Sequence, residues 1–444
     1  MISNFDSLIN PKRHFGAFLL HNFYAGYNPA FVESVLDLFD LSPKSVVFDP
    51  WNGSGTTTRV ASQRGFEAIG FDINPTMIVV ARATCADKST FNSSISTLVE
   101  TILHSKPHET GISQHAFKFS PKAKSHSKSS IREPFELWFC GSTAKSLRIL
   151  EKRIFSCLGG TSRDLHDLSP LAAFFYLAFF NTVRTFVNPF CGSNPTWIKM
   201  AKEDEQKLSL SRKDIADAFR RSVIELCICF DEAFLNNPCG NDDYPSKSVE
   251  LQIADASSLP LGNSSVDAIV SSPPYCTRID YGVATRPELA ALGYDDLAMD
   301  SLRRTMLGAN TVPRELPPRS EEWGTEGLKL FDAVQSHTSR ASRGYYDKWI
   351  AQYLQGLSVS LGEISRVMRP GARCALVVQD SFYKDVLIDL ATITSEMAQI
   401  QGLLPIGQVP HKVAVSLASI NSRSKPYRSN SPATESVLLF SKSS

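Results

Sequence analysis

The sequence predicts an α/β protein: a mostly parallel sheet, helices on both faces, and a largely helical insertion. Short apolar runs that end in an acid or a serine alternate with helix-compatible segments. One such region lies in the first 85 residues and another begins near Leu251. Between Asp72 and Leu251 lie 178 residues, whereas a whole βαβ unit needs about 30.

Ser45-Val46-Val47-Phe48, ending at Asp49, has the unbroken apolar character of a strand buried on both faces. Pro50 to Gly55 reads as a loop and Thr56 to Gln63 as a helix. Phe66 to Phe71 is the second strand, closed by Asp72, and Pro75 suits the first turn of a helix over Thr76 to Thr84. In the second region, Leu251 to Ala254 ends at Asp255, and Val266 to Val270 delivers the chain to Ser272-Pro273-Pro274-Tyr275. A helix over Tyr345 to Val367 stops at Pro370-Gly371, before a strand over Arg373 to Gln379. Ser436 to Phe440 is a closing strand. Within the insertion, Ser169-Pro170 opens a helix over Leu171 to Val187, and Asp214 to Phe234 has helical spacing. Residues 299–344, rich in Arg, Pro and Ser, are expected to be irregular. The resulting division is 1–85, 86–250 and 251–444.

With 43% hydrophobic and 20% charged residues, the 444-residue chain is not disordered, collagenous or coiled-coil. The net charge of +1 says nothing about partners. The longest apolar run, Leu171 to Phe180, has ten residues, and a membrane span needs about 20. Met1 to Asp6 lacks the basic start of a secretion signal. A cytoplasmic protein with no membrane partner is expected. The nine cysteines form no C-x-x-C pair, and Cys227-Ile228-Cys229 is too small for a zinc site. Reduced thiols and no metal are the expectation.

Two motifs carry chemistry. Gly53 and Gly55, between a strand and a helix, permit a tight turn without a Cβ to block a ligand, at the carboxyl edge where parallel sheets bind ligands. Asp72 follows Asp49 by 23 residues, about the spacing at which an acid grips ribose hydroxyls in nucleotide folds. An acid at Asp49 would repel a pyrophosphate and suits a cationic ligand. S-adenosylmethionine has a sulfonium, an α-ammonium and a ribose, and no phosphate. In the second motif, neither proline nitrogen donates a hydrogen bond, so Pro273-Pro274 ends the strand ladder and leaves carbonyls for a ligand. The Ser272 oxygen and Pro273 carbonyl would draw an aromatic amine toward sp³ geometry as it attacks. Tyr275 offers a face for a base.

Asp49-Pro50-Trp51-Asn52-Gly53-Ser54-Gly55-Thr56-Thr57 resembles the D-P-F-x-G-S-G-T-T motif of amino-methylating DNA methyltransferases. Ser272-Pro273-Pro274-Tyr275 resembles their S/D/N-P-P-Y/F motif, and Phe71-Asp72-Ile73-Asn74-Pro75 completes the combination. The resemblance spans residues 40–85 and 250–285 and extends over 345–385. It implies a Rossmann-like methyltransferase fold, S-adenosylmethionine as donor, and duplex DNA with a flipped target base as substrate. It also implies a cognate restriction enzyme as a partner to look for. Asp49, Gly53 and Gly55 would bind the donor, Asp72 its ribose, and Asp255 would sit beside the adenine. Pro50, Ser54, Thr56, Ile73 and Ala256 complete the expected donor contacts. Ser272, Pro273, Pro274 and Tyr275 would be catalytic, and Cys276 packing. His21 to Pro29 resembles the segment that wraps the methionine end. Serine before Pro-Pro-Tyr is commoner in members that methylate cytosine N4, aspartate or asparagine in those that methylate adenine N6. Adenine N6 is therefore the alternative, followed by an RNA guanine methyltransferase and a catalytically silent nucleic-acid-binding protein.

Candidate DNA-backbone contacts are Arg278, the acid-free arm bearing Lys122, Lys124, Lys128 and Arg132, then Arg303 and Arg304, and the tail residues Arg423, Lys425 and Arg428. Residues 86–250 are the candidate target-recognition region.

Overall fold

The computed structural model describes residues 8–11, 26–86, 94–106, 132–159, 164–192, 197–235, 249–276, 279–340, 342–412 and 434–443. Nine strands are present among them: β1 (Val46–Asp49), β2 (Glu67–Asp72), β3 (Val249–Ile253), β4 (Val266–Ser271), β5 (Met368–Gln379), β6 (Ser381–Tyr383), β7 (Val386–Ile388), β8 (Leu403–Lys412) and β9 (Thr434–Lys442). Seven form one sheet in the order β3-β2-β1-β4-β5-β9-β8, and β6 pairs with β7 in a separate hairpin. Strands β1 to β5 are mutually parallel, whereas β9 runs antiparallel to both β5 and β8. The expected doubly wound α/β architecture is therefore present.

Both faces of the sheet are covered, which is why apolar residues on its central strands, such as Val47 and Phe48 of β1 or Ala268 to Val270 of β4, are buried on either side. Helices α1 (Pro29–Phe39) and α2 (Thr56–Gln63) pack on Val47, Val270, Ala375 and Val377. The opposite face, with Phe48, Ile269, Leu376 and Val378, meets α11 (Gly324–Ser336), α12 (Asp347–Val367) and α13 (Leu390–Ile400). Helix α3 (Pro75–Thr84) starts where expected: Asn74 caps it, accepting from Thr76 N at 3.1 Å, and Pro75 fills its first turn. Its Ile78 and Ala81 pack on Leu251 of β3, while Met77, Val79, Val80 and Ala83 enter the core of the inserted helices.

Those helices are α4 (Ile95–His104), α5 (Gly141–Leu158), α6 (Pro170–Val187) and α7 (Arg212–Leu235). Helix α6 is capped by Ser169, as the sequence predicts. Pro170–Phe190 has the length and composition of a membrane span. Every side chain from Ala172 to Phe180 is nevertheless 0% exposed inside the protein, so α6 is apolar all round because neighbours surround it. The same core takes in Leu289 to Ala291 of α9 (Arg286–Ala291) and Leu292 just after it, so the inserted helices and the segment following β4 share one interior.

Two expectations are corrected. Residues 299–344 are not all irregular: they contain the end of α10 (Asp296–Thr305) and the whole of α11. Asp295 caps α10 by accepting from Ala298 N at 2.8 Å, and Gly327, Leu330, Phe331 and Val334 give α11 a buried face that the polar composition hides. Pro370-Gly371 does not precede the strand expected from Arg373 but lies inside it, because β5 begins at Met368. The register jumps from Val266–Met368 to Ala268–Arg373, and the dipeptide sits in that bulge with Gly371 at φ +80°.

Candidate active site

Strands β3, β2, β1 and β4 are neighbours and parallel, so Asp255, Asp72, Asp49 and Ser272 all emerge at one sheet edge. Chain order reverses between β1 and β4, the place where an open α/β sheet leaves a crevice for ligands. The two motifs come together there: Ser271, the last residue of β4 and the one before the second motif, donates its hydroxyl to Asp49 Oδ1 at 2.5 Å.

The glycine loop is folded back onto the end of β2. Asn52 N donates to Phe71 O at 2.8 Å, and the Asp72 carboxylate accepts from Gly53 N at 2.9 Å and Asn74 N at 2.8 Å. Gly55 has φ +81°, and a Cβ there would lie 2.9 Å from Ala81 Cβ. Only glycine allows the loop this close to α3. Thr84 Oγ1 ties down Ser54 O at 2.8 Å, while Pro50 and Thr56 are buried. Ile73 packs against the inserted helices. At the end of β3, Asp255 accepts from Ser257 N at 2.8 Å and Ala256 is buried.

Asp49 is enclosed at the end of β1. Its carboxylate is 2% exposed and accepts from Ser271 Oγ, from Trp51 N at 3.1 Å and from Tyr27 Oη at 3.0 Å. These bonds draw it behind the loop. Burial pushes its carboxyl above the usual range, against the pull of those hydrogen bonds. Burial likewise lifts Asp72 to about 7, with backbone N–H groups opposing and Asp49 adding to the rise. Among the described residues, neither carboxylate is in an ion pair.

At the other corner, Ser272 Oγ donates to Val377 O at 2.9 Å. That bond uses the hydroxyl proton and leaves the oxygen as an acceptor. The Pro274 carbonyl accepts from Tyr353 Oη at 2.8 Å and the Cys276 carbonyl from Ser381 Oγ at 2.9 Å, whereas no donor among the described residues bonds the Pro273 carbonyl. Tyr275 Oη donates to Glu435 Oε1 at 3.3 Å, and burial raises the phenol's pKa. Cys276 is 1% exposed with its thiol pushed up by burial, a packed and unreactive group.

Glu435 escaped the sequence reading, and Tyr27 entered it only as part of the His21 to Pro29 segment. Tyr27 Oη touches Asp49, Thr57 Oγ1 and, at 3.3 Å, Val270 O, and so pins the segment before α1 to both corners. The first residues of the His21 to Pro29 segment lie outside the described residues, as do Arg278, Lys122, Lys124, Lys128, Arg423, Lys425 and Arg428. Arg303 is no free cation. Its guanidinium is committed to Asp280, 1% exposed, at 2.6 Å. Arg304 pairs with Asp300 at 2.9 Å and Arg132 with Glu136 at 3.7 Å, both on the surface.

A family model described as "RMKL-like, methyltransferase domain" matches residues 171–289, a span that includes the Pro-Pro corner. The type II methyltransferase M.BsoBI of Geobacillus stearothermophilus is 20% identical over 427 residues, 87% of this chain and 79% of that protein. M.MvaI of Kocuria varians, also a type II methyltransferase, is 23% identical over 372 residues, 79% of this chain and 73% of that one. This chain is similar to methyltransferases along most of its length. A SAM-dependent methyltransferase structure from Methanosarcina mazei is 9% identical and covers 92% of this chain and 97% of its own, at a TM-score of 0.29. That likeness is too weak to bear on the fold, which the sheet order itself shows.

Proposed function

We propose that this protein is an S-adenosylmethionine-dependent DNA methyltransferase acting on the exocyclic amine of a flipped base, with cytosine N4 as the target. The observation that carries the proposal is the contact between Ser271 and Asp49, which makes the glycine loop and the Pro-Pro corner two walls of one crevice. Asp49, buried, and Asp72, half-buried, have no cationic partner among the described residues, which suits a ligand bearing an ammonium and a sulfonium. The nearby type II methyltransferases by sequence support DNA as substrate and a restriction enzyme as companion.

When bound, the donor supplies an electrophilic methyl: the S–C bond breaks with its electron pair to sulfur, an N–C bond forms, and the amine then sheds one proton to water. The chain's part is placement. Ser272 Oγ and the Pro273 carbonyl accept the amine's N–H bonds, directing its lone pair outward. Tyr275 stacks on the base, returning about 1–3 kcal/mol against an unstacking cost of a few kcal/mol. Holding both reactants in line is worth about 7–11 kcal/mol, so no general base is required. The inserted helices are the proposed readers of base edges.

Incubating the protein with plasmid DNA and methyl-tritiated donor, then separating nucleosides, tests this. N4-methylcytosine should carry the label. Label in N6-methyladenine would replace the target base, and absence of label from DNA would overturn the proposal.

A further inference from the structure

Strand β9 is the reversed strand of the sheet, so its first residues lie at the edge where β1 to β5 end. Glu435 stands there, opposite Gln379 of β5 on one side and His411 of β8 on the other. It is 6% exposed, an unusual position for a carboxylate, and its Oε1 takes the Tyr275 hydroxyl. The 3.3 Å separation is long for an O–H···O bond. The peptide on either side of Tyr275 is already tied down through the Pro274 and Cys276 carbonyls. Glu435 holds the far end of the ring, so the stacking face is clamped at both ends.

Methyl transfer also moves charge. The positive charge begins on sulfur and ends on the base amine, until that nitrogen loses its proton. A carboxylate beside the stacking ring favours this shift, because in a water-poor site fixed charges act strongly on charge that develops during reaction.

We propose that Glu435 is a positioning residue of the catalytic corner, orienting the Tyr275 ring and placing a negative charge where the methylated amine becomes cationic. This rests on the methyltransferase reading above. The test uses the full chain as wild type, Glu435→Gln, Tyr275→Phe and the double variant. Donor affinity is measured by calorimetry and methylation of DNA under single-turnover conditions at saturating donor. Glu435→Gln should leave donor affinity within about twofold and slow transfer by about tenfold or more, as loss of a charge-assisted bond does. Adding Tyr275→Phe to it should cost less than about twofold further, because both changes remove one interaction. A Glu435→Gln rate within twofold of wild type, or factors that multiply in full in the double variant, overturns the inference. Should Glu435→Gln fold poorly, Tyr275→Phe alone decides: it keeps the carboxylate and must still slow transfer. Equal labelling by wild type and variant sinks this inference alone, whereas no labelling by wild type sinks the methyltransferase reading with it.

Discussion

Asp72 has a carboxyl raised to about 7, chiefly by burial, with the N–H groups of Asn74 and Gly53 limiting the rise and Asp49 adding to it. The folded protein thus keeps a proton that the unfolded chain releases near its ordinary value of 3.8. Between those values the folded state binds more protons, so this group's contribution to stability falls as pH rises through the window. Ribose hydroxyls donating to the carboxylate, the role proposed for Asp72, reverse the preference by favouring its charged form. Donor affinity should therefore strengthen from about pH 6 to about pH 8. Binding near neutrality should release a proton, measurable by calorimetry in buffers of different ionisation enthalpy. A pH-independent affinity with no proton release contradicts this account of Asp72.

Between elements, two guanidiniums, that of Arg148 buried and that of Arg184 half-buried, join the inserted helices to the segment that follows the Pro-Pro corner. Arg184 of α6 binds Glu288, 0% exposed, at 2.6 Å and the Ala284 carbonyl at 2.8 Å. Arg148 of α5 binds Glu133 and the carbonyls of Ala290 and Ala291, at 2.9, 2.7 and 2.9 Å. Removing one member of such a pair leaves the other charge buried without its counter-ion, at a cost of about 3–5 kcal/mol. Arg184→Ala should lose stability of that order in a urea titration. A loss below about 1 kcal/mol, the worth of a surface pair, shows instead that α6 and α9 are not held together here. Because Asp280 and Arg303 anchor the next turn in the same way, the corner rests on ion pairs as well as on the sheet.

Across the whole molecule, what was legible depended on residues close in sequence. The loop from Asp49 to Thr57 and the corner from Ser272 to Tyr275 follow from strand ends, glycines and prolines within a few positions of each other, and their placement on parallel strands followed from the alternation around them. Glu435 and the bonds made by Tyr27 could not be read in that way. One reaches the site on a strand that runs backwards, 160 residues from its partner Tyr275, and the other from a segment ahead of the first helix. Arg303 looked available as a free cation because nothing local shows that Asp280, 23 residues earlier, claims it. Helix α11 was hidden because five buried positions, two of them glycines, suffice for a face when most of the remaining residues are polar. The central claim is that one ligand bridges the ends of β1 and β4. A crystal structure with S-adenosylhomocysteine and DNA measures this directly. The account predicts the thioether sulfur at the mouth between the Gly53–Gly55 loop and Ser272, close enough that a methyl on it would lie about 3–3.5 Å from an extruded amine. A ligand on the opposite sheet edge, or a base that never approaches Tyr275, contradicts it.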